Sequence, residues 1–162
     1  MRKTATTLAV ILAGLMLSSC NNNSEQTTAT TVNKTTQIET KDAPILKDAP
    51  FSQGLRNGNL VFLAGQLGVV PETLELDNAT FEAEVNRTFM NLQAVAKAGG
   101  GDLSDVVTLT VYLTDLNNFD TLNKVMKEYF KAPYPTRTTL EVSRLAKDAA
   151  IEVEGIMVLG AK

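Results

Sequence analysis

The chain has 162 residues, 44% of them hydrophobic, with one cysteine and no histidine, which is enough for one domain with its own core. The missing histidine excludes His-based triads, His-ligated zinc and the usual neutral-pH base, leaving Asp, Glu, Lys, Tyr and Arg for any chemistry. A formal charge of −3, without clustered Lys and Arg, argues against nucleic acid as a partner and against ribonuclease activity.

Arg2 and Lys3 precede an apolar run from Leu8 to Leu17 that is too short to cross a bilayer, so residues 1–19 read as an export signal. Cys20 follows Leu17-Ser18-Ser19 in a pattern that resembles the bacterial lipobox. That likeness implies lipidation of Cys20 and a membrane partner reached through a lipid anchor. Asn21 after the cysteine leans toward the periplasmic side of an outer membrane. Cleavage there removes two basic residues and no acidic one, for a net charge of about −5. Residues 20–42 are rich in Asn, Ser, Thr and Gln and read as a disordered tether with a span of about 25 to 30 Å. The folded domain is predicted over residues 43–162.

Asn57-Gly58 between two strand-like runs predicts a two-residue hairpin over Gly54–Ala64. Phe81, Val85, Phe89, Leu92, Val95 and Ala96 recur at helical spacing, predicting a helix from about Asn78 to Ala98. Gly99-Gly100-Gly101 follows that helix, so it reads as a stop signal and not as a phosphate loop. Val106–Leu113 alternates and predicts a strand with Val107, Leu109, Val111 and Leu113 on one face. Asn117 or Asn118 then caps a second helix whose inner stripe is Phe119, Leu122, Met126, Tyr129 and Phe130.

Two last strands are predicted near Thr138–Leu145 and Ile151–Val158, with Leu140 and Val142 facing the core in the first. Strands, helix, strand, helix, strands is the order of an α+β domain with both helices on one face of a mixed or antiparallel sheet. The other face would carry Thr108, Thr110, Tyr112, Thr139, Glu141, Ser143, Glu152, Glu154 and Ile156. That mixture is too apolar for open water, which predicts a closed homo-oligomer.

In Pro133-Tyr134-Pro135-Thr136-Arg137, Pro135 stiffens the backbone just before the arginine, whose fork suits a planar carboxylate. Glu152 and Glu154, two apart on one strand, share a face and can set a carboxylate beside a reacting carbon or water. On spacing alone, an exposed strand arginine and a solvated strand face are the commoner explanations of these features.

Several segments in order change that reading: Ala49-Pro50-Phe51-Ser52-Gln53, Asn57–Gln66, Pro71-Glu72-Thr73, Asp105-Val106-Val107, Val111–Asp115, Pro135-Thr136-Arg137-Thr138 and Ile151-Glu152-Val153-Glu154. Together they resemble the RidA (YjgF-type) family over about Ala43 to Lys162. The resemblance implies a chorismate-mutase-like α+β fold, a homotrimer and active sites in clefts between subunits. It also implies enamine/imine deaminase activity: hydrolysis of 2-aminoacrylate-like 2-imino acids to 2-keto acids and ammonia, with no metal and no organic cofactor. Carried over by position, Arg137 would grip the substrate carboxylate and Glu152 would position or activate the attacking water. Gly65, Asn123, Thr139 and Phe51 would line the substrate pocket. Phe51, Ala64 and Thr139 stand where many members carry tyrosine, serine and cysteine. The rival reading from another class is a non-catalytic exported protein that binds small carboxylates in the same pocket.

Overall fold

The computed structural model describes residues 34–160. The predicted signal, Cys20 and the tether as far as residue 33 lie outside the described residues. Six strands and two helices follow in chain order. They are β1 (Thr35–Ile38), β2 (Gly54–Asn57), β3 (Leu60–Leu67), α1 (Phe81–Ala98), β4 (Val106–Leu113), α2 (Phe119–Tyr129), β5 (Thr136–Glu141) and β6 (Ile151–Val158). They form one sheet in the order β1-β2-β3-β6-β4-β5. Every pairing is antiparallel except β4 with β5, so the mixed α+β sheet expected from the sequence is what forms. No helix among the described residues is long and apolar enough to cross a membrane.

Strand β1 lies inside the segment expected to be tether. Thr35 to Ile38 pair with Asn57 to Gly54, and Ile38 is buried in the core. Three of these four residues are polar, so their composition hides a strand held mainly by backbone ladder bonds and one anchoring side chain. The hairpin is one residue out from the expectation: Asn57 pairs with Leu60, which leaves Gly58-Asn59 as the loop, and Gly58 takes the positive φ of 63°.

Thr80 caps α1 by accepting a hydrogen bond from the Ala83 N–H, and Glu82 and Glu84 lie in its first turn. At its end the Gly100 N–H reaches the Lys97 carbonyl and the Gly101 N–H the Ala96 carbonyl, with Gly100 at φ 95°. This is a Schellman stop, as the three glycines suggested. Phe89 stacks between Tyr129 and Phe130, at ring distances of 5.2 and 5.7 Å, and joins the two helices. Truncating so enclosed a ring to alanine typically costs about 3 to 5 kcal/mol.

One sheet face, bearing Val61, Leu63, Leu109, Val111, Ile151, Val153 and Met157, is buried in the core together with the apolar stripes of α1 and α2. Two bulges adjust the alternation. Val106 pairs with Met157 and Thr108 with Ile156, so Val107 is extruded and exposed, while Val106 takes the buried place expected for Val107. On β3, Leu63 pairs with Gly155 and Gln66 with Val153, leaving Ala64 and Gly65 opposite Glu154 alone.

Strand β5 has the reverse orientation to that expected. Parallel pairing sets Arg137 beside Leu109 and Thr139 beside Val111, on the helix side, while Thr138 and Leu140 fall with Thr110 and Tyr112 on the open face. Leu140 is accordingly exposed. With one neighbour and a single apolar residue in TRTTLE, β5 takes its facing from its register with β4, not from its own pattern.

Candidate functional site

Arg137 rises from β5 toward α2. One guanidinium nitrogen donates to Asn123 Oδ1 at 2.9 Å and meets Met126 Sδ at 3.3 Å, and the guanidinium carbon lies 5.0 Å from the centre of the Phe119 ring. A neutral amide, a thioether and an aromatic face hold it. Among the described residues no carboxylate lies within ion-pair distance of it. Burial alone pulls its pKa down, and arginine keeps its proton regardless. A half-buried cation with no counter-charge of its own is a place for an anion, and the remaining fork positions suit a carboxylate. Thr139 Oγ1, one pleat along on the same side, is buried with no hydrogen-bond partner.

Glu152 belongs to a second group. It pairs across β6 and β4 with Tyr112 and faces the open side of the sheet, together with Glu154. The bulge on β3 brings Gly65 against its carboxylate so closely that a Cβ at position 65 would collide with Oε1. Burial pushes the Glu152 carboxyl above its ordinary range, and the charge of Glu154 pushes it further. Glu152 and Gly65 line a concavity of about 570 Å³, with Phe51, Ser52, Lys47, Asp48 and Lys147 among its other walls. A neighbouring concavity of about 620 Å³ runs over Phe62, Thr108, Thr110, Glu154 and Ile156, and Phe51 borders both.

The wall between residues 40 and 53 is fastened by one side chain. The Gln53 amide accepts from the Thr40 N–H at 2.7 Å and donates to the carbonyls of Thr40, Ala43 and Pro44 at 3.1, 3.2 and 2.9 Å.

The six residues named from the sequence thus form two groups within one chain. Arg137, Asn123 and Thr139 stand on the helix side at the β5 edge; Glu152, Gly65 and Phe51 stand at the open face. Sequence reasoning missed the cradle under Arg137, because Phe119 and Met126 fit the core stripe of an amphipathic helix and nothing in that spacing singles them out. It also missed the hydrogen bond from the Tyr112 hydroxyl to Glu154 Oε1, 3.2 Å. The period-2 faces of β4 and β6 contained that signal.

The sequence profile of the family described as Endoribonuclease L-PSP matches residues 40–159. The chain belongs to the RidA (YjgF-type) family. Within this family, the 2-iminobutanoate/2-iminopropanoate deaminase of Dermatophagoides farinae is 39% identical over 110 residues, 68% of this chain and 86% of that protein. RidA from the Antarctic bacterium Psychrobacter sp. PAMC 21119 is 40% identical and superposes with a TM-score of 0.73 over 76% of this chain and 99% of its own. Escherichia coli TdcF with bound serine is 39% identical, with a TM-score of 0.72 over 76% and 98% of the two chains. The family likeness expected from the ordered segments is therefore shown, and the α+β fold matches that of RidA structures.

Proposed function

We propose that the protein is an enamine/imine deaminase that hydrolyses small 2-imino acids to 2-keto acids and ammonia, using Arg137 and Glu152 brought together from two copies of the chain. The observation that carries the reading is the Arg137 guanidinium, half-buried among neutral groups and matched by no carboxylate among the described residues. Relatives of about 40% identity that bear the name 2-iminobutanoate/2-iminopropanoate deaminase, or reactive intermediate deaminase, support the substrate class.

A 2-imino acid is already electrophilic at C2, so catalysis consists mainly of holding the carboxylate, orienting water and moving protons. Arg137 takes the carboxylate as a bidentate partner, and Asn123 and Phe119 keep its fork in place. Glu152 lies at the other group, where its raised proton affinity makes it a better base for the water. Thr139 Oγ1, without a hydrogen-bond partner among the described residues, is a hydrogen-bonding group available to substrate. Phe51 offers an apolar wall in place of the hydroxyl many relatives carry, so substrate side chains are selected here by shape.

A homotrimer with clefts between subunits fits the two groups, since one chain separates them across its sheet. The open face, with Phe62, Leu140 and Ile156, provides apolar area for another copy to cover. In this reading the domain works outside the cytoplasm, held on the periplasmic side of an outer membrane by lipid on Cys20. That part rests on residues 1–21 of the sequence.

The test is to generate 2-aminoacrylate in the presence of the purified protein and to follow pyruvate and ammonia together. Release of both above the spontaneous rate is the expected result. Saturable binding of pyruvate without acceleration would favour the rival reading, a non-catalytic carboxylate-binding protein.

A further inference from the structure

Next to Glu152 on the open face lies a second carboxylate that the proposed reaction does not yet use. Glu154 projects from the same side of β6, and Tyr112 on β4 stands directly across the ladder from Glu152. The Tyr112 hydroxyl does not turn to that nearer neighbour in register; it donates to Glu154 Oε1 at 3.2 Å. Both glutamates are only partly accessible to solvent, and neither has a Lys or Arg within ion-pair distance among the described residues.

The charged groups around Glu152 are few. Tyr112 faces it from β4 and Glu154 from β6. The bulge of β3 contributes only the Gly65 backbone. Lys147 lines the same concavity from the loop before β6, and its Nζ is engaged by the Leu74 carbonyl at 2.8 Å. Glu39, Lys47 and Asp48 complete the charged lining from the amino-terminal side. In the proposed assembly, Arg137 of a second copy is neutralised by the carboxylate it holds.

We propose that Glu154, oriented by the Tyr112 hydroxyl, is a positioning residue for the proton chemistry of Glu152: the two carboxylates hold one proton between them, and Tyr112 assigns it to Glu152. Two carboxylates on one strand face without a counter-cation resist double ionisation. A hydroxyl donated to one of them stabilises its charged form, which leaves the other as the proton carrier. Burial and the Glu154 charge act on Glu152 in the same direction, raising its proton affinity.

This proposal rests on the deaminase reading for its use in turnover, and the proton balance then closes. Protonated Glu152 gives its proton to the imine nitrogen. The resulting carboxylate takes a proton from the water as oxygen bonds to C2. It returns that proton to the amine nitrogen, the C–N bond breaks to release ammonia, and the hydroxyl proton of the nascent ketone restores protonated Glu152. One water is consumed, and the glutamate ends as it began.

The experiment is a 13C titration of the glutamate carboxyls in the purified protein, with the Glu152 signal assigned by its loss in Glu152→Gln, alongside the pH profile of kcat/KM. Glu154→Gln should move the Glu152 midpoint, and the alkaline limb of the profile set by loss of the Glu152 proton, to lower pH by about half a unit to one unit. Tyr112→Phe, which removes the hydroxyl from Glu154 Oε1, should also move the Glu152 midpoint to lower pH, because nothing then assigns the shared proton to Glu152. A Glu152 midpoint unchanged in Glu154→Gln overturns the pairing whatever the turnover. Shifted midpoints in a protein that does not accelerate imine hydrolysis uphold the pairing and overturn the deaminase reading instead.

Discussion

Arg137 and Glu152 project from opposite faces of a single sheet. Arg137 sits beside Leu109, on the side covered by helices, and Glu152 sits across from Tyr112 on the open side. The pleat that separates them is fixed by ladder pairing, so no side-chain rotation within one chain joins them around a small molecule. A second copy can supply the missing half, and catalysis should therefore depend on assembly.

That dependence can be read through Leu140, which is 46% exposed on the open face. On an isolated chain, Leu140→Glu should change stability by no more than about 0.5 kcal/mol. If copies pack on this face, the same substitution should reduce the mass seen by light scattering and make specific activity fall on dilution. An unchanged mass and rate would remove the shared-site reading.

Replacing the guanidinium tests the anion site itself. Arg137→Ala should lower kcat/KM on the order of a hundredfold or more, because the carboxylate loses its anchor. Arg137→Lys should recover little, since a point charge cannot reproduce a planar fork lying on Phe119. Near-normal turnover in either variant would contradict the assignment.

Asn123 acts through Arg137 and should show a milder effect of a different kind. Asn123→Ala removes the 2.9 Å hydrogen bond that orients the guanidinium. A roughly two- to tenfold rise in KM is expected, with kcat little changed. A loss confined to kcat would mean that Asn123 touches the reacting atoms directly.

Gly65 has no spare volume. A methyl group in Gly65→Ala would collide with Glu152 Oε1, so the carboxylate must move and kcat should drop about tenfold or more, the fold being retained by circular dichroism. Combining it with Glu152→Gln should cost much less than the product of the two single effects. Additive losses would show that the two positions act independently.

Glu84 offers a pH test outside the site. The side chain is buried, with its Cγ against Gly68, and its carboxyl accepts the Ala150 N–H at 2.7 Å, two residues before Glu152. Burial raises its proton affinity and outweighs the lowering by the Ala150 and Ile151 N–H groups. A carboxyl raised on folding stabilises the fold fully below its unfolded pKa of 4.5, and that contribution is lost as pH rises through the folded value. Glu84→Gln keeps an oxygen for Ala150 and removes the titration. Its Tm relative to the parent should therefore climb between pH 4 and pH 7. A constant difference would show that Glu84 does not titrate as described.

The long, strongly patterned elements were legible from the amino acids. Val106–Leu113 is the predicted strand to the residue, and α1 ends at its glycines as expected, because local periodicity and stop chemistry decide both. What escaped was decided by partners distant in the chain. Thr35–Ile38 is a strand only because β2 pairs with it. The facing of β5 follows β4, and the extrusion of Val107 depends on how β4 meets Met157 and Ile156. At the candidate site, the residues were nominated from family-like segments. Their division between two faces was not legible, since it follows from the inverted β5.

The fourfold hydrogen bonding of Gln53 has a mechanical consequence. A pull on the chain from the amino-terminal side of Thr35 is met first by the ladder of β1 and then by an amide that grips Thr40, Ala43 and Pro44. Tension applied there is thus absorbed before it can reach Phe51, and the cleft keeps its shape.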